Sequence, residues 1–132
     1  FDRYMERYAK GAKEVVFIGM NPGPWGMAQT GVPFGDVSLV RDWLDIEAPV
    51  VKPDLIHPKR PVEGFACHRG EVSGRRLWGW AQKNFEDPAF FFKRFFVYLN
   101  CEFVFKLFYP RRICFFHLLF AQYFYNDIVY IF

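Results

Sequence analysis

The sequence predicts a single α/β domain built around a short parallel sheet. Its 132 residues suit one domain. Two apolar runs, in residues 13–20 and 95–99, indicate buried strands, and the stretches around them carry helical patterns. Because strands that alternate with helices favour a parallel sheet, the carboxyl ends of these strands are the expected place for a ligand. A loop rich in glycine and proline follows the first strand at that end.

The elements of the first half follow from local signals. Residues 1–10 are amphipathic and predict a helix ended by Gly11. The segment KEVVFIGM at 13–20 predicts the first strand. After the loop, Asp36 can cap a helix that runs through Ile46 with its apolar residues on one side.

The second half begins with an irregular stretch at residues 47–72, which contains four prolines. Ser73 can cap a second helix that carries two tryptophans and a leucine. Asp87-Pro88 is a favourable start for a third helix, since proline suits the first helical turn. The run FFVYL at 95–99 predicts the second strand.

Charge and cysteine usage limit the classes of function that this sequence can have. The net charge of +3 and the isoelectric point of about 8.8 permit nucleic-acid binding without requiring it. Cys67, Cys101 and Cys114 form no CxxC pair, so buried thiols in a reducing compartment are expected, and no metal site. No signal peptide is visible at the start. The uncharged run 113–126 is too short to span a membrane.

Residues 101–132 differ from the rest of the chain. They hold no glycine and one proline and are crowded with aromatic side chains. The chain is therefore divided into a domain at 1–100 and an atypical aromatic tail at 101–132. The tail is either a buried element or sequence that did not evolve with this fold, such as an alternative exon or read-through. His117 lies in this tail, and neither it nor His68 is expected to be a metal ligand.

The loop GMNPGPWGMAQTGVPFG at residues 19–35 contains five glycines and three prolines but almost no charge. Its glycine spacing fits neither GxGxxG nor GxxxxGK[ST], and its prolines lack backbone donors, which disfavours a phosphate-binding loop. The loop is instead predicted to form a rigid wall with exposed backbone N–H groups, which suits a planar ligand with carbonyl oxygens. Phe34, between Pro33 and Gly35, could stack on that ligand.

This loop, followed by DVSLVRDWL, HPKRPVEGFAC and EVSG, closely resembles the single-strand-selective monofunctional uracil-DNA glycosylases over about residues 1–98. Trp25 stands where phenylalanine is more familiar in that family. The resemblance implies a three-layer α/β/α fold around a short parallel sheet. It also implies hydrolysis of the bond between deoxyribose and uracil, or an oxidised uracil such as 5-hydroxymethyluracil, in single- and double-stranded DNA. Such an enzyme initiates base excision repair on a flipped-out base.

By this resemblance, Asn21 is the catalytic residue that positions the attacking water, and Phe34 is the ring stacked on the base. The backbones of Met20 and Gly23 would lie against the uracil edge. These residue types suit the chemistry, because the transition state pairs an oxocarbenium sugar with a departing uracil anion. An amide is a poor base, so Asn21 would act by holding the water in place.

Two elements of the family differ here. The family reads uracil with an asparagine in a segment resembling HNLCP, whereas this chain has Tyr98-Leu99-Asn100-Cys101. Asn100 is thus a substrate-binding candidate shifted by one residue, which turns a strand side chain to the other face. The family's later His-Pro-Ser motif has no counterpart here. Two hypotheses follow: a uracil-DNA glycosylase domain, or a truncated, catalytically impaired splice or read-through form that keeps the uracil wall and binds DNA weakly.

The resemblance implies DNA as the partner, with no cofactor, metal or membrane, a monomeric chain and a nuclear location. Basic residues are the candidates for phosphate contacts. They are Lys59, Arg60, Arg69, Arg75 and Arg76.

Overall fold

The computed structural model describes residues 1–19 and 21–99. The predictions made for Met20, Asn100 and the tail at 101–132 fall outside these residues, so the division at residue 100 stays a prediction. The elements are, in chain order, α1 (Asp2–Tyr8), β1 (Val15–Gly19), α2 (Met27–Thr30), α3 (Val37–Asp42), a 3-10 turn (Gly64–Ala66), α4 (Val72–Phe85), α5 (Pro88–Arg94) and β2 (Phe95–Leu99).

Both predicted strands are present and pair in parallel. Val15 lies opposite Phe95, and the register continues to Gly19 opposite Leu99. Both strands therefore end at the same edge of the sheet, where the glycine-proline loop begins. The prediction of a small α/β fold with a parallel sheet is confirmed for the described residues, while the three-layer arrangement stays a prediction.

An aromatic core holds the helices against this sheet. Trp78 of α4 and Phe91 of α5 are fully buried, with ring centroids 5.8 Å apart in an edge-on contact. Tyr4 of α1 is also buried, and its hydroxyl donates to the Val97 carbonyl of β2 at 2.8 Å. This bond satisfies a hydroxyl that would be costly to bury alone. Helix α1 is thereby fixed to the sheet.

Two predicted helices end earlier than expected. Helix α1 ends at Tyr8, and α3 ends at Asp42 rather than at Ile46. Beyond α3 the chain turns, because Asp45 has a positive φ of 51° and the Ile46 N–H donates to the Val40 carbonyl. Ile46 is still buried, so its apolar side chain reaches the core from a turn. The apolar pattern of the sequence correctly marks Ile46 as buried, but it does not show that the helix ends before this residue.

The predicted start of α4 at Ser73 is wrong by two residues, because Glu71 occupies the capping position. The Asp36 carboxylate accepts the Glu71 N–H at 3.0 Å, which fixes the chain at that residue. The start of α5 is confirmed: the Asp87 side chain accepts the Ala89 N–H at 2.7 Å, with Pro88 in the first turn.

The loop between β1 and α3 contains a short helix, α2, that was not predicted. It ends at Gly31, whose φ of 73° is the left-handed value that favours glycine after a helix. The next long connection contains the exposed segment 51–60 and the 3-10 turn. Among the described residues, no helix combines the length and the apolar character needed to cross a membrane.

Candidate functional site

The candidate site begins at the carboxyl end of β1. Asn21 follows two residues after the strand ends and is exposed, with no hydrogen-bond partner for its amide within residues 1–19 and 21–99. The Phe34 ring lies across the strand end, so closely that a Cβ built on Gly19 would stand 2.4 Å from its Cζ. Only glycine allows this approach. A free amide and an aromatic ring therefore flank the same end of the strand.

Phe34 is held by an unusual backbone conformation. Its φ is 54°, in the left-handed region that bulky side chains rarely adopt. Such a conformation costs about 1–3 kcal/mol and persists only where its surroundings impose it. Its carbonyl faces Gly74 of α4, where an added Cβ would come within 2.1 Å, and the preceding Pro33 carbonyl accepts from the Trp78 indole at 3.1 Å. The fold thus imposes the position of a half-buried ring.

Gln29 of α2 holds the loop to the segment that precedes α4. This side chain is fully buried, and its amide nitrogen donates to the carbonyls of Pro24 and Pro61 at 2.8 and 2.9 Å. Its oxygen accepts the N–H groups of Glu63 and Gly64 at 2.8 and 3.0 Å. Sequence reasoning missed Gln29. An amide within an almost uncharged glycine-proline loop was the available signal.

Glu71 was missed as well, although it packs directly on the loop. A Cβ added at Gly23 would lie 2.2 Å from the Glu71 Oε2, and one at Gly26 would lie 2.7 Å from the Glu71 Cγ. The same carboxylate lies 3.4 Å from the Trp25 N–H. Two of the loop glycines therefore admit the Glu71 side chain, a structural reason for glycine at both positions.

Asp36 joins the loop to the start of α4. Its buried carboxylate accepts from the Ser38 hydroxyl at 2.6 Å, the Glu71 N–H at 3.0 Å and the Arg75 Nε at 3.1 Å. Burial alone would raise the pKa of this carboxyl. The hydrogen bonds from Ser38, Glu71 and Leu39, with the Arg75 charge, outweigh burial and lower the pKa below its ordinary value.

The predicted phosphate-binding residues occupy different surroundings. Arg75 is paired with Asp36, so its guanidinium also has a structural role. Lys59 and Arg60 lie in the exposed segment 51–60, and Arg76 is exposed on α4. The Arg69 guanidinium lies over the Trp25 ring, 4.3 Å from its centroid. Of these five cations, Arg69 is therefore the one in direct contact with the loop.

A cavity of about 490 Å³ lies elsewhere, where the two strands begin. It shares no residue with the loop. Its charged lining residues are Arg7, Lys10, Lys13, Asp45, Asp87 and Lys93. The loop remains the candidate site, because it brings the Asn21 amide and the Phe34 ring to the end of β1. Among the described residues, no group of three or more His, Cys, Asp or Glu side chains could hold a metal ion.

Comparison with known proteins finds relatives that are similar over most of the described residues. Over 102 residues, or 77% of its length, the chain is 54% identical to the single-strand selective monofunctional uracil DNA glycosylase of Mus musculus. The Rattus norvegicus protein gives the same values, and the Bos taurus protein is 55% identical over 98 residues. The matched part of the chain is thus similar to uracil-DNA glycosylases. Within that class, the three relatives are single-strand selective monofunctional enzymes by name, which confirms the resemblance found in the sequence.

The match covers only part of these relatives. The chain spans 37% of the mouse and rat proteins and 36% of the bovine protein. No protein-family model matches the chain.

Proposed function

We propose that this chain acts in DNA repair as a uracil-DNA glycosylase, with its uracil site at the carboxyl end of β1. The observation that carries the proposal is that the exposed Asn21 follows the end of β1 by two residues, while the Phe34 ring lies across Gly19 at that same strand end in a strained conformation. The identity to named uracil-DNA glycosylases over three-quarters of the chain supports the assignment.

In this proposal the two side chains have separate tasks. The Phe34 ring supports the flat face of a flipped uracil through stacking. The Asn21 amide hydrogen-bonds a water and places it against the sugar carbon, whose positive charge grows as the N-glycosidic bond breaks. Backbone N–H groups of the loop, including that of Gly23, offer donors to the uracil oxygens, which gain negative charge.

The finer parts of the proposal concern substrate and setting. Single- and double-stranded DNA carrying uracil are the proposed substrates, together with oxidised uracil such as 5-hydroxymethyluracil. The reaction would begin base excision repair in the nucleus, with a monomeric chain acting on DNA. The exposure of Asn21 supports access by an extruded base.

Release of uracil from a single-stranded oligonucleotide tests the proposal, with cleavage at the resulting abasic sites as the readout. The parent chain should release uracil from this strand and leave a thymine strand intact. Asn21→Ala should lower the rate by about 10²-fold, because positioning of the water is lost. The variant should remain folded, since Asn21 is exposed and its amide forms no hydrogen bond with another described residue.

Asn84→Ala is the matched control. Asn84 is an exposed asparagine on α4 whose amide donates to the Trp80 carbonyl at 2.7 Å, so the same chemical change is made away from the loop. Its rate should equal that of the parent. Equal rates for Asn21→Ala and the parent would remove Asn21 from the mechanism, and a parent chain that releases no uracil would refute the proposal.

A further inference from the structure

The contact between Trp25 and Arg69 joins the candidate loop to the chain segment before α4. The Arg69 guanidinium carbon stands 4.3 Å from the centre of the Trp25 ring, well inside the range of a cation–π contact. Trp25 is half-buried and Arg69 is exposed. The indole therefore supports one face of the guanidinium while its N–H edges remain open to solvent.

The guanidinium of Arg69 has no other partner in the part of the chain that the structure describes. None of the carboxylates in residues 1–19 and 21–99 forms an ion pair with it. Arg75, by contrast, is paired with Asp36. The nearby Glu71 side chain is directed onto Gly23 and Gly26. Within the described residues, the guanidinium donors of Arg69 are therefore unpaired.

The backbone around Arg69 is fixed on both sides. Before it, Cys67 is buried and its N–H donates to the Gly64 carbonyl at 3.1 Å. After it, the Glu71 N–H donates to the buried Asp36 carboxylate at 3.0 Å. A planar group on an anchored backbone, with one face already against an aromatic ring, loses little conformational freedom when it binds.

We propose that Trp25 and Arg69 form a subsite that binds a phosphodiester group of single-stranded DNA next to the target nucleotide. The inference rests on the proposed function, because Trp25 lies in the same loop as Asn21. A guanidinium fork matches two oxygens of a phosphate, whereas the indole face needed for base stacking is occupied by Arg69. The bound group is therefore the sugar-phosphate backbone, which carries no sequence information.

Binding of a fluorescent oligothymidylate of about 15 nucleotides tests this subsite without requiring uracil or catalysis. Anisotropy titrations over a range of salt concentrations would compare the parent with Arg69→Ala and Arg69→Lys. Arg69→Ala should weaken binding by about threefold to tenfold and lower the slope of log affinity against log salt by about 0.7. Arg69→Lys keeps the charge without the planar fork, so its loss should be smaller.

Lys10→Ala is the matched control, because it removes one exposed positive charge near the start of β1, away from the loop. It should change affinity and salt slope less than Arg69→Ala does. Trp25→Ala removes the supporting ring and should weaken binding in the same direction as Arg69→Ala. If the circular dichroism spectrum shows that Trp25→Ala is unfolded, the two variants at the exposed Arg69 still test the subsite.

Equal affinities and salt slopes for Arg69→Ala and Lys10→Ala would overturn the subsite. In that case, continued release of uracil would leave the proposed function standing. The opposite result is also informative. Arg69-dependent binding of the thymine strand by a chain that releases no uracil would refute the proposed function but support the subsite as an element that binds single strands.

Discussion

At the scale of single residues, Phe34 shows how the fold builds the candidate site. A phenylalanine with a φ of 54° is strained, and its ring reaches the strand end only because residue 19 is glycine. The sequence predicted the presented ring from its proline and glycine neighbours. The strain could not be foreseen, because it is imposed by the packing of the Phe34 carbonyl against Gly74, which lies forty residues further along the chain.

Removing the Phe34 ring should weaken the binding of uracil-containing strands. Phe34→Ala should lower the affinity for uracil-containing single strands by about 1–3 kcal/mol, the usual contribution of stacking between a base and an aromatic ring. Titration of a labelled strand, with circular dichroism to verify the fold, measures this change. Phe90→Ala, which truncates an exposed phenylalanine of α5, is the control and should bind as the parent does. Unchanged affinity in folded Phe34→Ala would exclude stacking.

Phe34→Gly tests the strain separately. It removes the same ring as Phe34→Ala, but glycine adopts a positive φ freely. Glycine normally costs about 0.4–1 kcal/mol relative to alanine through the unfolded chain. Here the relief of strain should offset that cost, so the free energy of unfolding of Phe34→Gly should equal or exceed that of Phe34→Ala in urea denaturation. A clearly less stable glycine variant would contradict the positive φ.

At the scale of elements, the loop is kept in place by a short helix that the sequence did not reveal. Helix α2 has only four residues, too few for a periodic pattern, and its ends are set by glycines. Its Gln29 connects the loop to the segment before α4 through four hydrogen bonds. The loop geometry therefore depends on a buried amide as well as on its glycines and prolines.

Gln29→Leu should destabilise this connection. Leucine keeps a similar volume but leaves two carbonyls and two N–H groups without their partner. The Gly64 N–H is buried and the other three bonds are part-buried, and an unsatisfied group costs about 1–3 kcal/mol where it is fully buried. We expect an overall loss of about 2–4 kcal/mol in the free energy of unfolding, measured by urea denaturation. Gln82→Leu makes the same change at an exposed position of α4 and should cost less than about 0.5 kcal/mol. Similar losses for the two variants would show that Gln29 does not hold the loop.

The boundaries of the elements show which features of the fold could be predicted from the sequence. The two strands and the start of α5 were predicted correctly, because apolar runs and the Asp87-Pro88 pair are local signals. The start of α4 was misplaced, because it depends on a bond between Asp36 and Glu71, which are 35 positions apart. Phe34 was singled out from the composition of one continuous loop, and the role of Asn21 came from the resemblance of that loop to the glycosylase family; both roles stay predictions. Gln29 and Glu71 were missed for the same reason as the α4 boundary: their partners are distant in sequence.

At the scale of the whole molecule, Asp36 makes stability depend on pH. Its folded pKa is lower than its ordinary value, so the carboxylate stabilises the fold above about pH 4, the ordinary range of an aspartate. This contribution is lost as the pH falls further, through the folded pKa. The parent chain should therefore lose stability as the pH falls below about 4, in urea midpoints measured from about pH 6 downward.

Asp36→Asn should remove much of this pH dependence and lower the free energy of unfolding by about 2–4 kcal/mol near neutral pH. The reason is the loss of the buried carboxylate that accepts from the Glu71 N–H and the Arg75 Nε. Asp42→Asn is the control. The Asp42 pKa is also lowered, by the hydrogen bond from Arg41, but both side chains are exposed. It should change the neutral stability little. An Asp36→Asn profile parallel to that of the parent would assign the acid sensitivity to other groups.

We expect uracil to bind at the carboxyl end of β1 and not in the cavity where the strands begin. Backbone amide NMR with a single strand that carries a 2′-fluorinated deoxyuridine tests this directly, because fluorine destabilises the oxocarbenium-like transition state and preserves the bound complex. Relative to the matching thymine strand, the resonances of Gly19, Asn21, Gly23 and Phe34 should shift most, while those of Lys13 and Lys93 stay in place. Uracil-dependent shifts confined to the cavity residues, or no difference between the two strands, would contradict the account.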